Sequence, residues 1–215
     1  MFAIADEVLD LCRSVGHEAT VLAVLADGLR NGPSDGAVLQ QAIKDAGDLG
    51  LPLDAPLPAW RDVYRAFGAK PQRTPCSAEA LRKRAARGDV PVIDRIVDAY
   101  NAVSIRFAVP IGGEDRAALA GTERLVLAAG DEPFDTVKEG APVVETPEPG
   151  EVIWRDDLGV TCRRWNWRQG RRTAITAATT SAVFLLEGLD TDLTPAAEML
   201  AELLDADTIT VRRLA

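Results

Sequence analysis

The stretch EVIWRDDLGVTCRRWNWRQGRRTAIT, Glu151 to Thr176, decides how the chain is read. Its first half predicts a β-hairpin with Asp156, Asp157 and Gly159 at the turn, because short apolar runs flank a cluster of turn formers. Its second half predicts another hairpin, turning at Gly170 and returning through Thr173 and Ile175. Consecutive hairpins make antiparallel sheet. Working outward, RLVLAA at Arg124 to Ala129 adds a strand, and ATVLAVL at Ala19 to Leu25 reads as a strand buried on both faces. Strands dominate the second half while helices cluster in the middle and at the ends, so the expected class is α+β with substantially antiparallel sheet.

The helices are read from periodicity and caps. Asp35, after the turn cluster NGPSDG, is expected to cap a helix reaching about Leu49, and LPLDAPLP at Leu51 to Pro58 reads as a joint. Trp60, Val63, Tyr64 and Phe67 then occupy one helix face. Ser77 opens the next helix, with Leu81 inward and Gly88 as its stop. Pro91 is expected to begin another, carrying Ile93, Ile96, Val97 and Tyr100 and ending at Asn101. At SIRFAVP, Ser104 to Pro110, Ile105, Phe107 and Val109 alternate as in a strand. Thr194 and Pro195 open a last helix with Met199, Leu200, Leu203 and Leu204 on one side.

Composition bounds the function classes. A chain of 215 residues, 47% hydrophobic and 27% charged, buries a real core. It reads as one domain, divided into an N-terminal part (1–59), a core (60–189) and a C-terminal helix and tail (190–215). No apolar stretch approaches the roughly 20 residues of a membrane span, and the acidic N-terminus is unlike a signal peptide. The expected place is the cytoplasm. The net charge of −9 alone argues against a polyanionic partner, but it is unevenly spread. Residues 60–106 carry +5 and 163–172 carry +5, whereas 1–59, 107–162 and 173–215 carry −6, −8 and −5. In CRRWNWRQGRR, five Arg alternate with two Trp and an Asn, a composition suited to a phosphate and a base or ring.

Cys12, Cys76 and Cys162 are odd in number and far apart, which fits reduced thiols rather than disulfides or a zinc site. The single His17 provides no evident Ser-His-Asp or Cys-His arrangement. G-x-x-x-x-G-K-[ST], G-x-G-x-x-G and H-E-x-x-H are missing from the sequence. The reading therefore contains no metal and no cofactor.

VDAYNAVSIRFAVPIGGED, Val97 to Asp115, resembles the VDxTNYVMxExGQPLHAFD segment of the B-three/B-four editing domain of the phenylalanyl-tRNA synthetase beta subunit. SAEALRKRAARGDVPVIDRI upstream and Val152 to Leu189 downstream are similar to the same domain, so that the likeness spans about three fifths of the chain. The pair RRWNWR and VDAYNAVS is similar to freestanding members of this group. The resemblance implies a three-layer α+β fold of the PheT/TilS-like kind, mostly antiparallel sheet in a sandwich-like arrangement with flanking helices. It also implies hydrolysis of the ester joining a wrong amino acid to the 3′ end of tRNA, a step of translation quality control. Such an ester is already activated. Positioned water, a stabilised oxyanion and the neighbouring ribose hydroxyl suffice, so no triad is required.

Carried over onto this chain, the resemblance sets Asn101 on the family's Asn and Pro110 on its pocket Pro. Gly112 stands where the synthetase has a His that holds the terminal adenosine, Tyr100 where it has a Thr, and WNWRQGR where it has G-I-M-G-G-E. The pocket is expected between 101–113 and 163–176, with Asn101, Asn166 and Thr173 in catalytic positions. Ser104, Pro110, Gly112, Gly113, Arg164, Arg168 and Thr176 are expected to bind substrate, and Arg82, Lys83, Arg84, Arg171 and Arg172 to bind RNA. The expected partner is the 3′ end of tRNA or an aminoacyl-tRNA. The runner-up reading is a non-catalytic module that holds an amino acid or an RNA end. Neither the amino acid nor the oligomeric state is specified by these residues.

Overall fold

In a computed structural model, which describes residues 1–48 and 52–215, the chain runs β1 (Phe2–Ile4), α1 (Asp6–Ser14), β2 (Ala19–Asp27), α2 (Ala37–Asp48), α3 (Pro58–Ala66), α4 (Ser77–Arg87) and α5 (Arg95–Phe107). It continues through β3 (Ile111–Asp115), β4 (Glu123–Leu127), β5 (Phe134–Lys138), β6 (Ala141–Glu145), β7 (Val152–Arg155), β8 (Val160–Arg163), β9 (Arg168–Gln169), β10 (Ser181–Leu189), α6 (Thr194–Leu203) and β11 (Thr208–Arg213). Among the described residues the class is α+β with antiparallel pairing dominant.

The apolar run at Ala19 explains the layers. β2 lies inside a four-stranded sheet ordered β11-β2-β10-β3, antiparallel throughout. Val21, Ala23 and Leu25 of β2, with Val183 and Leu185 of β10, face a second sheet ordered β1-β4-β7-β8-β9 and pack on its Leu125, Val152 and Trp154. Val24 and Ala26, with Phe184 and Leu186, face the other way onto Ile96, Ala99 and Val103 of α5 and Ala196, Ala197 and Leu200 of α6. A strand with core on both sides has no polar face, so the run is continuous. Each large side chain buried in this way contributes roughly 1.5–3 kcal/mol. β5 and β6 form a separate two-stranded ribbon.

Several expected boundaries hold. The Asp156–Gly159 turn joins β7 to β8, with Asp156 Oδ1 accepting from Leu158 N at 2.9 Å. Asp35 Oδ1 accepts from Ala37 N at 2.9 Å ahead of α2. The expected end of that helix at Leu49, and Leu51 at the start of the joint, lie outside the described residues. Gly88 closes α4 in the left-handed region, at φ 73°.

Two expectations are corrected. The helix expected from Pro91 to Asn101 begins instead after Asp94, whose carboxylate accepts from Val97 N at 2.8 Å, and it runs on to Phe107. SIRFAVP is therefore mostly helix, and the strand starts at Ile111. The cause is burial on two sides: Ile96, Ala99 and Val103 meet the sheet while Ala102 and Ile105 meet Leu39, Ala42 and Ala46 of α2 and Ala85 of α4. A helix with two apolar faces shows local alternation that imitates a strand. The second hairpin turns at Arg164–Trp167, before Gly170, and residues 171–180 form no strand; Ala174 makes an isolated bridge to Glu114.

Candidate functional site

The turn Arg164–Trp167 is the local device on which the site depends. Arg164 and Trp165 both have positive φ, 47° and 65°. For residues with a Cβ, that conformation costs on the order of 1–3 kcal/mol each and needs outside support. Glu151, 3% exposed, supplies it. Its carboxylate takes Arg163 Nε at 2.9 Å and Nη2 at 2.8 Å, and its Oε1 also accepts from Arg164 N at 3.0 Å. Trp165 N donates to Val152 O at 2.6 Å, and Trp165 is sunk into the core edge-on to Trp60. With the turn held, Asn166 is directed inward and Trp167 is left at the mouth, flanked by the Arg164 guanidinium at 4.5 Å and that of Arg168 at 5.5 Å.

Inside lies a cavity of about 200 Å³ between this turn, α5 and the sheet face carried by β3 and β10. Asn101, Gly112, Glu114, Asn166, Arg168 and Glu187 supply its polar lining, with Tyr100, Trp154, Trp165 and Trp167 as aromatic walls. One buried chain of hydrogen bonds forms its floor. Tyr64 Oη donates to Asn166 Oδ1 at 2.8 Å, Asn166 Nδ2 donates to Glu187 Oε2 at 2.8 Å, and Trp154 Nε1 donates to Glu187 Oε1 at 2.6 Å. By contrast, the Asn101 side-chain amide has no hydrogen-bond partner among the described residues. Burial outweighs the donors and pushes the Glu187 carboxyl up to about 8. Burial, and next the nearby Glu123 carboxylate, hold Glu114 well above the usual carboxyl range. In both, burial favours the protonated form. The Cys162 thiol on the wall is likewise raised by burial, so it is not a thiolate nucleophile.

The cavity opens onto a shallower groove that shares Ser77, Asn101, Ile111 and Trp167 with it and continues past Ser104, Leu81, Arg84 and Ile93. Behind the turn is a more polar hollow lined by Lys70, Arg73, Arg164, Glu148 and Glu151.

A family model for the B3/4 domain matches residues 59–200, a range that contains the turn, the cavity and both strands of its floor. The chain belongs to the B3/4 domain family. Comparison with curated proteins gives no match.

Within this B3/4 domain the residues expected at the site divide into three groups. Asn101, Gly112, Asn166 and Arg168 meet at the cavity. Ser104 lines the outer groove, with its buried Oγ lacking a hydrogen bond, and Arg164 faces the hollow behind the turn with its Nε 3.5 Å from Glu151. Pro110 and Gly113 act through their carbonyls: Pro110 O accepts from Glu187 N at 3.0 Å, and Gly113 O accepts from Gln169 Nε2. Thr173 and Thr176 do not line the cavity. Thr173 is buried beside Glu114, and Thr176 closes a local turn with Ala178 and Thr179, because the second hairpin that would have aimed them inward does not form.

The residues expected to bind RNA are mostly committed elsewhere. Arg82 is 1% exposed and donates to Ile105 O and to Pro52 O at 3.3 Å, so it is a core residue and not part of an RNA surface. Lys83 donates to Glu79 at 2.6 Å, and Arg84 lies 3.6 Å from Asp89. Arg171 faces Asp135 at 3.3 Å and Arg172 holds Asp156 at 2.7 Å. His17 pairs with Asp190 at 2.6 Å, away from the cavity lining. Sequence reasoning missed Glu114, Glu187, Tyr64 and Trp154. A signal for Glu187 was present: it is the one charged residue inside the apolar run SAVFLLEGL.

Proposed function

We propose that this B3/4 domain hydrolyses the ester between an amino acid and the 3′ end of tRNA, with the aminoacyl group in the cavity and the terminal nucleoside in the outer groove. The observation that carries the reading is the meeting of the two family-like segments, through Asn101 and Asn166, on one cavity of aminoacyl size. Asn101 is free to orient water or the developing oxyanion, as is required where the ester is already activated and the vicinal ribose hydroxyl can shuttle the proton. Trp167, bracketed by two guanidinium groups, offers a stacking surface at the mouth. Arg168, which makes no ion pair among the described residues, and Lys70 and Arg73 behind the turn supply cationic contacts for the RNA end.

The test is deacylation of a panel of mischarged tRNAs. Release of at least one amino acid well above the buffer rate, lost in Asn101→Ala, is the expected result; no release from any tRNA with folded protein in excess overturns the proposal. A second reading, a module that binds an aminoacyl or amino acid ligand without breaking a bond, is favoured by the burial of both acids, which disfavours their ionised, basic form. Thermal stabilisation by amino acids with no hydrolysis of any ester would establish it instead.

A further inference from the structure

The cavity has a mouth and an interior. Asn101, Ser77, Ile111 and Trp167 line both the cavity and the outer groove, whereas Glu114, Trp154, Cys162 and Leu185 line the cavity alone. An ester held at Asn101 therefore directs its acyl side chain inward, toward Glu114. Side chains alternate along β3, which puts Gly112 and Glu114 on one face, and a Cβ added to Gly112 would meet no atom within 4 Å. The cavity is thus open over this part of the strand. Glu114 is 3% exposed, yet its Oε2 has no hydrogen-bond partner among the described residues, a costly state for a buried acceptor. Gln169 Nε2 is turned to Gly113 O, and the Thr173 hydroxyl beside Glu114 is unbonded as well. The Glu187 oxygens, by contrast, are each taken by a donor, Trp154 Nε1 and Asn166 Nδ2. Volume sets a second limit. A cavity of about 150 Å³ holds benzene, so one of about 200 Å³ holds roughly eight non-hydrogen atoms. The nitrogen, Cα, carbonyl carbon and oxygen of an aminoacyl group use half of these and leave about four for the side chain. Tyrosyl, phenylalanyl and tryptophanyl groups exceed that. The walls do not yield, because Trp154 and Trp165 are 2% and 0% exposed and close-packed in the core.

We propose that the cavity selects aminoacyl groups with a short hydroxylated side chain, seryl or threonyl, whose hydroxyl completes the hydrogen bonding of the Glu114 carboxyl. This deepens the proposed function and rests on it for the ester. An alcohol both donates and accepts, and burial favours the protonated form of Glu114, which does the same. A valyl group has the shape of a threonyl group but leaves the buried carboxyl unpaired. A site built to bond a hydroxyl rejects the analogue lacking it far more strongly than an apolar pocket rejects one missing methylene. Glu114 sets specificity in this scheme and takes no part in breaking the ester.

Deacylation by the intact protein is compared for tRNAs carrying threonine, serine, valine, alanine and tyrosine. Threonyl release should exceed valyl release, or seryl release alanyl release, by about tenfold or more, with tyrosyl release at the buffer rate. The threonine and serine arms decide between the two hydroxylated groups. Tyrosyl release as fast as threonyl and seryl release overturns the size limit, and valyl and alanyl release as fast as their hydroxylated counterparts overturns the role of Glu114. Either result removes this inference and leaves the proposed function standing. Glu114→Leu should lower the threonyl-to-valyl ratio by about tenfold, while Glu114→Gln, which keeps a donor and an acceptor, should retain most of it. An unchanged ratio in folded Glu114→Leu overturns the assignment. Gly112→Ala serves if that variant does not fold: the added methyl should slow threonyl release more than seryl release, and equal slowing overturns the size limit. Thermal stabilisation by L-threonine methyl ester but not by L-valine methyl ester, with no hydrolysis of any aminoacyl-tRNA, would keep the selectivity and remove the proposed function. No difference between the two esters in that case removes both.

Discussion

The two Arg-rich segments, RKRAAR at 82–87 and RRWNWRQGRR at 163–172, are both strongly basic in an acidic chain, and the fold uses them differently. In the first, helical periodicity turns Arg82 into the core against Ile105 O while Lys83 closes on Glu79, and Glu79 falls to about 2 because Arg61, Lys83 and Leu57 N donate to it against the cost of burial. In the second, two left-handed residues break the strand, bury Trp165 and leave Trp167 between two guanidinium groups at a cavity mouth. Charge density does not say where a charge points. Backbone geometry does.

The contrast can be broken most forcefully at Arg82. Arg82→Ala should cost about 3–4 kcal/mol in chemical unfolding, because buried carbonyls lose their donor and a void remains, while Arg168→Ala at the mouth should stay within about 0.5 kcal/mol. Equal effects of the two would mean that the helical arginine is not the structural one. Next in size, Asn101→Ala should lower deacylation by about a hundredfold with little change in stability, as expected for removing one positioned polar group. Gly112→Val should match it by filling the cavity, where a Cβ added to Gly112 meets no atom within 4 Å. A Gly112→Val variant that binds and deacylates as the unaltered protein does would show that the cavity is not the site.

A smaller effect is expected from pH. Glu187 is raised to about 8 from an ordinary 4.5, so the native state holds a proton that the unfolded chain gives up. Its contribution is fully present below about pH 4.5 and is lost as pH rises to about 8; Glu123, raised to about 7 by burial, acts the same way. Stability should therefore fall across this window, and Glu187→Gln should flatten the fall in urea unfolding measured at pH 5, 6.5 and 8. The smallest effect separates the surfaces: Lys70→Ala with Arg73→Ala should weaken tRNA binding and reduce its salt slope by up to about two, whereas Lys83→Ala with Arg84→Ala should change the slope little. The opposite order would restore the helical segment as the RNA contact.

Legibility followed the range of the determining interaction. The Asp156–Gly159 turn, the Asp35 and Gly88 caps and the two-faced β2 strand depend on neighbours in the chain or on a simple burial pattern, and they were read directly. The extent of α5 was misread because its second apolar face is set by α2 and α4. Thr173 and Thr176 were misplaced for the same kind of reason, since the position of the turn depends on Glu151, which lies in sequence before the hairpin and clamps Arg163 and Arg164 from outside it.

The sequence by itself determined the α+β class and the family-like segments that carry Asn101 and Asn166, because caps, periodicity and motif spacing are local properties. Only the tertiary structure decided that Glu114 and Glu187 line one cavity where burial raises both carboxyls, and that Arg82 is core. Burial, strand register and the company of distant charges set those outcomes, and none of them is a property of a residue's neighbours along the chain.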